Sequence, residues 1–542
     1  MNIWAGYLGP GNESQLKILL GGQAQIHTGE GFGLGVHQTH GEPATLTLTA
    51  AGLITASIGP DEEAGSSASI DPSGPTLTLT RDPFGWNSAY TTQIGEVLWY
   101  ASDPRVLQRL DGVSDRLDPA ALHGYLCFSY VPTPLTLIAG VSALPAGERM
   151  IVTSTGERYC EKQPVWRELR PLELSEEMAV AQLRERLRTA VVQRVGAERE
   201  VGVFLSGGID SSLIAALLVE LGVKIHLFTL DFGPPFDAEL PYAQQVAAHL
   251  RQSLNVVPAR PSKIRAALVS TAAALEQPFG DGVTVPLYLL GQAAAERVDV
   301  VFNGEGGDQL FGGWTNKPMI AAELYGKEDY DRAAAYLNTY HRFYRLTDQF
   351  YTSGAQSAVD GVDVGGWMRP ALNAEGFTSL LHRLRAAGLW LKGAQNIVPR
   401  ATQLAKAHGL RVRSPFFDRA LTDWTFALPP EWFLRGACEK YLLKRAAEPY
   451  LPSGVVWREK RGMGVPTTEW CLGPLRREVA RRLNPRRLKR DGWFEPKAVA
   501  ALRRGKGQPG EFRRRRIGEK LWTLLMLHVW CETREQPLVW PT

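Results

Sequence analysis

The sequence predicts an α/β protein with a mostly β N-terminal part and a C-terminal part built on a parallel sheet. Up to about residue 165, apolar stretches such as TLTLT (76–80) and EVLWYAS (96–102) alternate with Gly, Pro, Ser and Asp, which is typical of strands and turns. Farther along, apolar strands alternate with helical stretches, and this order favours parallel strands covered by helices. These strands are EVGVFLS (200–206), VKIHLFTLDF (223–232) and DVVFNG (299–304). Beyond about residue 320 the chain is expected to be largely helical.

The composition changes near residue 170, where a long helix is predicted. ELSEEMAVAQLRERLRTAVVQRV (173–195) carries apolar residues at helical spacing. Ser175 is suited to cap the N-terminus of this helix, and acidic residues follow in its first turn. We therefore predict one domain over residues 1–168 and a second over residues 172–542.

Several classes of protein are disfavoured by composition. No two of the five cysteines have CxxC spacing, which argues against a zinc ribbon or a disulfide framework and favours a reducing, cytoplasmic setting. The first residues lack the basic and apolar regions of a signal peptide, so none is expected. No apolar run approaches the roughly 18 residues of a membrane span, so no membrane partner is expected.

Positive charge is concentrated in residues 471–520, which hold 17 Lys and Arg against 5 Asp and Glu. The chain as a whole has a net charge of +4, so the remaining residues are acidic overall. Residues 471–520 form either a solvated, arginine-rich helical surface or a docking surface for an acidic partner such as a peptide, a carrier or nucleic acid. Few aromatic residues are interleaved with these charges, so no specific nucleic-acid binding is expected.

A polar, glycine-rich break stands between two apolar runs in VFLSGGIDSSLIAALL (203–218). A glycine-rich turn between a strand and a helix presents free backbone N–H groups and the positive end of the helix dipole, so it can bind an anion. The lysine of a Walker loop, the first glycine of a hydrolase elbow and the glycines of a dinucleotide fingerprint are absent. An anion site and a plain turn remain as interpretations.

SGGIDSS (206–212) resembles the pyrophosphate loop of ATP-dependent ligases that release AMP and pyrophosphate. The resemblance implies that Asp210 helps to hold Mg²⁺, for which a carboxylate is the expected hard oxygen ligand. LFTLD (227–231) resembles the strand whose backbone holds adenine in these enzymes. The ATP-binding residues implied by the two stretches are Leu205, Ser206, Gly207, Gly208, Asp210, Ser211, Ser212 and Leu230.

FNGEGGDQLFGG (302–313) resembles the S-G-E-G-x-D-E-x-F-G-G segment of the asparagine synthetases. By this resemblance Glu305 is the catalytic glutamate, which could orient the incoming amine and take its proton. Asp308 matches the second carboxylate that binds Mg²⁺, and Asn303 and Gly304 join the ATP-binding residues. Asn303 replaces the usual Ser, and this exchange keeps a polar side chain.

VVWREKRGMGVP (455–466) resembles the R-x-K segment of the same family. Lys460 would then neutralise charge on the phosphate of an acyl-adenylate or on the tetrahedral intermediate. The resemblance covers residues 203–466 and implies the PP-loop fold of the family, in which ATP adenylates a carboxylate and an amine displaces AMP. The expected protein is therefore an ATP-dependent carbon–nitrogen ligase that uses ATP and Mg²⁺.

LTRDPFGWNSAYTTQIGEVLWYASDPRVL (79–107) resembles the glutaminase domain of the asparagine synthetases, which implies an Ntn-hydrolase-like α/β/β/α sandwich. That glutaminase uses an N-terminal cysteine whose thiolate attacks glutamine. The second residue here is Asn2, and the first cysteine is Cys127. We therefore expect a degenerate domain without glutaminase activity, so that the nitrogen comes from ammonia or from an amine of the substrate.

VPRATQLAKAHGLRVRSPFFDRAL (398–421) resembles a segment of the family around R-x-P-F-L-D. Arg400 matches a substrate-binding arginine, whereas Ile397 takes the place of the family's aspartate. Two substrates stay open: aspartate with ammonia, or a specialised acceptor closed into an amide or lactam, as by β-lactam synthetases and lasso-peptide cyclases. The expected partner is a small-molecule or peptide carboxylate, and a homodimer is left open.

The alternative to an enzyme is a catalytically idle binding or regulatory protein on an old ligase fold. Such a protein would have no need of the chemically active side chains of the family. The residues that argue against it are Ser206, Asp210, Glu305, Asp308 and Lys460.

Overall fold

The computed structural model describes most of the chain. The described residues are 2–11, 13–39, 43–49, 52–59, 65–162, 166–313, 319–320, 331–340, 342–459, 462–505 and 515–540. Within these ranges no helix is long and apolar enough to cross a lipid bilayer.

Two antiparallel sheets of six strands each form the N-terminal part. The strands are Ile3–Leu8 (β1), Gln25–Gly29 (β2), Phe32–His37 (β3), Ala44–Leu48 (β4), Ile54–Ile58 (β5), Ser66–Asp71 (β6), Thr76–Arg81 (β7), Tyr90–Ile94 (β8), Val97–Ala101 (β9), Val141–Ala143 (β10), Glu148–Val152 (β11) and Arg158–Lys162 (β12). The strand order is β10-β8-β9-β1-β3-β2 in one sheet and β12-β11-β7-β6-β5-β4 in the other. Alternate side chains such as Leu77 and Leu79 fill one core shared by both sheets, so the predicted sandwich is confirmed.

Three helices accompany the two sheets. They are Glu13–Leu20 (α1), Pro104–Leu107 (α2) and Pro119–Phe128 (α3). α1 packs on β1 and β3, and α2 packs on β9. α3 instead places Leu122 and Leu126 in the same hydrophobic core as Leu268 of the C-terminal part. The two parts therefore share a core, and the predicted boundary between residues 168 and 172 stays a prediction.

The C-terminal part is built on a five-stranded sheet in which every neighbouring pair is parallel. Its strands are Glu200–Phe204 (β13), Lys224–Asp231 (β14), Leu254–Pro258 (β15), Val300–Phe302 (β16) and Arg411–Arg413 (β17), in the order β15-β14-β13-β16-β17. A parallel sheet is covered by helices on both faces, which explains the continuous apolar runs of β13 and β16. This arrangement confirms the predicted parallel sheet.

Helices make up most of the remaining C-terminal part. They are Glu176–Val195 (α4), Ile209–Glu220 (α5), Leu240–His249 (α6), Pro261–Ala274 (α7), Thr284–Ala294 (α8), Gly307–Phe311 (α9), Arg332–Asn338 (α10), Thr347–Phe350 (α11), Ser353–Ala358 (α12), Arg369–Leu372 (α13), Leu380–Ala387 (α14), Val398–Lys406 (α15), Arg419–Thr425 (α16), Tyr441–Ala447 (α17), Ser453–Val456 (α18), Thr467–Leu472 (α19), Arg476–Arg482 (α20), Pro485–Asp491 (α21), Pro496–Arg503 (α22) and Arg515–Glu532 (α23). Short 3₁₀ turns span Val364–Trp367 and Pro430–Trp432, and a two-stranded ribbon joins Leu434–Arg435 (β18) to Cys438–Glu439 (β19).

Two local features position the site. Ser175 caps α4, because its hydroxyl oxygen accepts a hydrogen bond from Met178 N at 3.2 Å, as the sequence predicts. The helix formed by α14 and α15 widens into a π-helical segment over Gly388–Ile397. π-helical turns are rare and are frequently found at functional sites.

Candidate active site

The turn after β13 carries the predicted pyrophosphate loop at the carboxyl edge of the parallel sheet. Gly207 has a left-handed φ of +73°, and a Cβ there would lie 2.4 Å from Ala243 N, so only glycine fits. Ser206 Oγ accepts a hydrogen bond from Gly208 N at 3.2 Å and lies 3.2 Å from Ser211 Oγ. No side chain caps the N-terminus of α5, so its first N–H groups are available to an anion.

The GEGGD turn after β16 lies against this loop. A Cβ on Gly304 would lie 2.4 Å from Ser211 N, so the absence of a side chain permits the close approach of the two turns. Asn303 Oδ1 accepts hydrogen bonds from Glu305 N at 3.1 Å and from Ser414 Oγ at 2.5 Å. The Asn303 side chain therefore fixes the backbone of Glu305 against the residue that follows β17.

The ammonium group of Lys440 lies between the two predicted metal-binding carboxylates. Its Nζ is 2.5 Å from Asp210 Oδ2 and 2.5 Å from Asp308 Oδ1, and its side chain is 3% exposed. A Cβ on Gly313 would overlap Lys440 Cε, so this glycine leaves room for the lysine. Burial lowers the pKa of Lys440, but the charges of Asp210 and Asp308 outweigh burial and raise it. Lys440 is therefore a permanent positive charge at the site.

Asp210 and Asp308 also fit the predicted Mg²⁺ site. Asp210 Oδ1 is buried and has no hydrogen-bond partner among the described residues. Mg²⁺ is usually held by one or two carboxylates together with substrate phosphates and water. Within the described ranges no group of three or more His, Cys, Asp or Glu side chains could hold a metal ion.

A cavity of about 880 Å³ brings predicted site residues together from distant parts of the sequence. The predicted residues that line it are Leu205, Ser206, Gly208, Asp210, Ser211, Leu230, Asn303, Gly304, Glu305, Asp308 and Arg400. Gly207 and Ser212 do not line the cavity: Gly207 shapes the turn, and Ser212 is buried in α5. Ligand sites typically measure roughly 300–1,000 Å³, so the cavity has room for a nucleotide and a second substrate.

The predicted catalytic Lys460 lies outside the described residues. Two residues earlier, Arg458 lines the cavity, and its guanidinium carbon lies 4.1 Å from the ring centre of Tyr242. Arg458 O accepts a hydrogen bond from Lys444 Nζ at 3.3 Å. The segment that resembles R-x-K therefore meets the cavity at its arginine, and the role of Lys460 stays a prediction.

A group of four charged side chains, the charged cluster (Asp281, Arg342, Arg400 and Glu519), lines the cavity near the π-helical segment. Arg400 Nη1 lies 2.8 Å from Asp281 Oδ2 and donates to Asn396 Oδ1 at 2.8 Å. Arg342 lies 3.6 Å from Asp281 and 2.8 Å from Glu519. Burial opposes ionisation of Asp281, but Arg400 and Arg342 outweigh it and lower its pKa. The predicted substrate residue Arg400 is thus held by a carboxylate on the cavity wall.

The π-helical segment contributes Lys392 and Ile397 to the same wall. Ile397 is 5% exposed and presents an apolar surface where the sequence comparison expects an aspartate. Burial lowers the pKa of Lys392, while the nearby charges of Asp281 and Asp308 act in the opposite direction. The wall near Arg400 therefore combines cations with an apolar side chain.

Lys440 and Asp281 are site residues that the sequence alone did not reveal. Asp281 stands between two glycines in GDG (280–282), and this pattern could have marked it as a carboxylate on a tight turn. Lys440 carries no such signal, because Asp210 lies 230 residues away in the sequence. Only the fold brings the lysine to the two carboxylates.

Asn2, at the start of β1, is packed tightly. The residue is 1% exposed, and its Oδ1 accepts a hydrogen bond from Thr39 N at 2.5 Å. Lys406 of α15 donates from Nζ to the main-chain oxygen of Asn2 at 2.9 Å. The second residue thus joins the N-terminal sandwich to the C-terminal part.

Two family models match the chain. The model described as asparagine synthase matches residues 182–532, and the model described as a glutamine amidotransferase domain matches residues 68–166. Among solved structures, an ammonia-dependent NAD synthetase from Campylobacter jejuni resembles part of the chain. The match covers 26% of this chain and 62% of the synthetase. Its sequence identity is 19% and its TM-score is 0.19, so we base no argument on that likeness.

Similar curated proteins include asparagine synthetases. Asparagine synthetase [glutamine-hydrolyzing] 1 of Bacillus subtilis is 26% identical over 479 residues, which are 83% of this chain and 74% of that protein. Asparagine synthetase [glutamine-hydrolyzing] of Gallus gallus is 28% identical over 295 residues, 52% of this chain and 43% of that protein. The asparagine synthase model covers well over half of the chain. The protein therefore belongs to the asparagine synthase family.

Proposed function

We propose that this protein is an ATP-dependent ligase that adenylates a carboxylate, joins it to an amine as an amide, and releases AMP and pyrophosphate. The observation that carries the proposal is that the pyrophosphate loop, Glu305 and the carboxylates bridged by Lys440 all face one cavity. Membership of the asparagine synthase family supports a ligase. The AMP-forming route and the residue roles are part of the proposal.

The first half of the reaction depends on the groups around α5. The N–H groups at the N-terminus of α5 and the hydroxyls of Ser206 and Ser211 bind the pyrophosphate, because they are fixed donors at the positive end of a helix. Lys440 adds a full positive charge where negative charge builds up on the leaving group. Asp210 and Asp308 would hold Mg²⁺, and the bound ion would supply positive charge to the phosphates.

The second half depends on Glu305. Its carboxylate takes a proton from the attacking amine, so that the nitrogen has a free electron pair for the acyl carbon. The hydrogen bond from Glu305 N to Asn303 Oδ1 fixes the backbone that carries this base. Lys460 neutralises charge on the phosphate of the acyl-adenylate, and AMP leaves as the amide forms.

The charged cluster favours a specialised acceptor over free aspartate. Arg400 already pairs with Asp281 and Asn396, so a free carboxylate would compete with two existing partners. Ile397 offers no charge to the ammonium group of an amino acid. The substrate that fits is a small-molecule or peptide carboxylate larger than aspartate, for which the cavity of about 880 Å³ has room.

The nitrogen comes from ammonia or from an amine of the substrate. The two named relatives carry glutamine hydrolysis in their names. In this chain the second residue is Asn2, which has no nucleophilic side chain and is buried. Glutaminase activity is therefore excluded from the proposed function.

A reducing, cytoplasmic setting is proposed together with this activity. All five cysteines are free thiols in the described structure, and Cys127 and Cys471 are buried. Burial raises the pKa of both thiols, so they are poor nucleophiles. Cys127 and Cys471 thus have no part in the proposed reaction.

Exchange of radiolabelled pyrophosphate into ATP tests the proposal. The assay contains Mg²⁺ and one candidate carboxylate at a time: aspartate, other amino acids, or short peptides. We expect exchange with a carboxylate other than aspartate, and we expect ammonium or an amine of the substrate, but not glutamine, to support amide formation. Asp210→Ala should abolish the exchange, because the variant loses a carboxylate from the metal site.

Other results would change the conclusion. If aspartate alone supports exchange and yields asparagine, the specialised acceptor is wrong and the ligase is an ammonia-dependent asparagine synthetase. If no carboxylate supports exchange and calorimetry detects no binding of ATP with Mg²⁺, the idle binding protein is the correct interpretation. Full exchange by Asp210→Ala would contradict the metal assignment.

A further inference from the structure

The positive charge of the C-terminal region is concentrated on three short helices, α20, α21 and α22. Residues 471–505 contain eleven Lys and Arg but three Asp and Glu. α22 packs against both α20 and α21. Arg503 Nη1 also donates to Leu483 O at 3.0 Å, which ties the end of α22 to the end of α20. The charges therefore belong to one packed unit.

Some of these cations have a structural role. Each of them contacts a carboxylate of the same helices or of α23, and Arg482 is only 2% exposed. The pairs are Arg481 with Glu478, Arg482 with Glu478 and Glu532, Arg487 with Glu532 and Asp491, and Arg490 with Asp491. The pairs of Arg482 and Arg487 with Glu532 join α20 and α21 to α23, whereas Arg481 and Arg490 pair within their own helices. All four cations are thus balanced by a carboxylate.

Six other cations have no such role, and we call them the basic surface. All are exposed, and their side chains make no ion pair or hydrogen bond with the described part of the chain. They are Arg476, Arg477, Arg486, Lys489, Lys497 and Arg504. Glu495 is the one exposed acid among residues 471–505. Unbalanced like charges disfavour the folded state slightly and attract an acidic partner.

The aromatic residues near the basic surface are buried, which favours a peptide over a nucleic acid as its partner. Single-stranded nucleic acid is usually bound by basic grooves that also offer exposed rings for base stacking. The aromatic residues between α21 and α22 are Trp493 and Phe494, and both are fully buried. The basic surface therefore offers charge without stacking rings, which suits carboxylates.

The basic surface belongs to helices that also support the cavity. Thr467 of α19 and Glu519 and Trp522 of α23 line the cavity, and α19 packs closely on α23. α20 and α22 in turn pack against α23. Arg482 and Arg487 pair with Glu532 at the end of α23, and Glu519 lies thirteen residues earlier, roughly 20 Å along the helix. A partner on the basic surface would therefore lie about 20 Å from the wall that carries Glu519 of the charged cluster.

We propose that the basic surface docks an acidic segment of the polypeptide that carries the substrate of this ligase. The inference rests on the proposed function for its second half, since the ligase must have a substrate attached to a peptide. Docking through carboxylates holds the rest of the polypeptide near the cavity, which raises the effective concentration of the reacting group.

A fluorescent peptide of alternating Glu and Gly residues is the probe for docking. Its anisotropy is measured with the full chain, with R486E/K489E, and with the matched control K263E/R265E, which reverses two exposed charges on α7. We expect R486E/K489E to bind the peptide at least about tenfold more weakly, whereas the control binds like the wild type. Binding by the wild type should also weaken as salt rises.

Three outcomes overturn the inference. Equal loss in both variants would show a general charge effect, and unchanged binding by R486E/K489E would remove the basic surface from docking. A single-stranded DNA of equal charge that binds more tightly than the peptide would assign the surface to nucleic acid. Pyrophosphate exchange with a small carboxylate is measured on the same variants. If exchange is retained while peptide binding does not depend on the basic surface, the docking inference fails and the proposed function stands. If exchange is absent even in the wild type, the proposed function fails.

Discussion

Buried polar atoms are hydrogen-bonded at Asn2 in the N-terminal sandwich, but one is left without a hydrogen bond in the loop of Ser206 to Ser212 in the C-terminal part. Asn2 is 1% exposed, and its side chain and main chain are bonded to Thr39 and Lys406. In the loop, Asp210 lines the cavity, and its Oδ1 is buried without a hydrogen-bond partner among the described residues. Leaving such an atom unpaired costs about 1–3 kcal/mol.

The unpaired atom in the loop indicates that this region binds a ligand. Most buried polar groups that serve only structure are hydrogen-bonded, because nothing is gained by leaving them unpaired. A site that awaits a ligand keeps donors and acceptors for it. The loop and the cavity of about 880 Å³ beside it follow the second pattern, whereas Asn2 follows the first.

The largest effect is expected for Lys440→Met. Removing the ammonium leaves Asp210 and Asp308, whose side chains are 18% and 30% exposed, without their shared counter-charge. Breaking a fully buried pair costs about 3–5 kcal/mol, and partial exposure of the two carboxylates keeps the loss at or below about 3 kcal/mol. Urea denaturation measures the loss, and exposed Lys489→Met is the matched control. Mg²⁺ without ATP should raise the melting temperature of Lys440→Met more than that of the wild type; equal shifts would contradict the metal site.

Asp210→Asn should reduce pyrophosphate exchange by roughly 100-fold or more, because one electrostatic partner of the phosphates is lost. Asp348→Asn is the control, since Asp348 also stands in the first turn of a helix but is exposed. Circular dichroism of both variants verifies that the fold is retained. Exchange at the wild-type rate in Asp210→Asn would show that the unpaired carboxylate oxygen of the loop does not serve ligand binding, so the loop would not differ from the position of Asn2 in function.

His382 is a buried polar residue away from the cavity, and both nitrogens of its ring are hydrogen-bonded. Its Nε2 donates to Leu428 O at 2.9 Å, and Arg385 donates to its Nδ1 at 2.6 Å. Burial, with help from Arg385, lowers the pKa of His382 to about 3. The stability that neutral His382 contributes is complete above its ordinary pKa of roughly 6.5 and is lost as the pH falls toward 3.

His382→Gln should therefore flatten the pH dependence of stability without a specific effect on pyrophosphate exchange. Between pH 7 and pH 5 the wild type should lose about 2 kcal/mol more than the variant. Urea denaturation at the two pH values measures the difference, with exposed His27→Gln as the control. Parallel pH profiles for wild type and His382→Gln would show that His382 does not titrate in this range.

No gain of activity is expected for Asn2→Cys. The second residue is 1% exposed and bound to Lys406, so a thiol placed there is shielded from glutamine. Glutamate release from glutamine should stay at background, with exchange unchanged; mass spectrometry verifies the N-terminus. Glutamine hydrolysis by this variant would show that the N-terminal sandwich still holds a working glutamine site.

The parallel sheet, the glycine-rich turn of SGGIDSS (206–212) and the GEGGD turn could be predicted from the sequence. These features are local: apolar runs select buried strands, and glycines such as Gly207 and Gly304 are needed where backbones approach within a few ångströms. The cap at Ser175 is equally local and was predicted correctly. Short-range patterns of this kind can be read without knowing the rest of the chain.

The pairing of charged side chains could be learned only from the tertiary structure. Lys440 joins Asp210 across 230 residues of sequence, and Arg400 pairs with Asp281 across 119. Such contacts leave no local pattern, because each side chain is ordinary in its own segment and gains its role only through packing. For the same reason the sequence could show that residues 471–520 are basic, but only the fold separates the cations held in ion pairs from those left exposed.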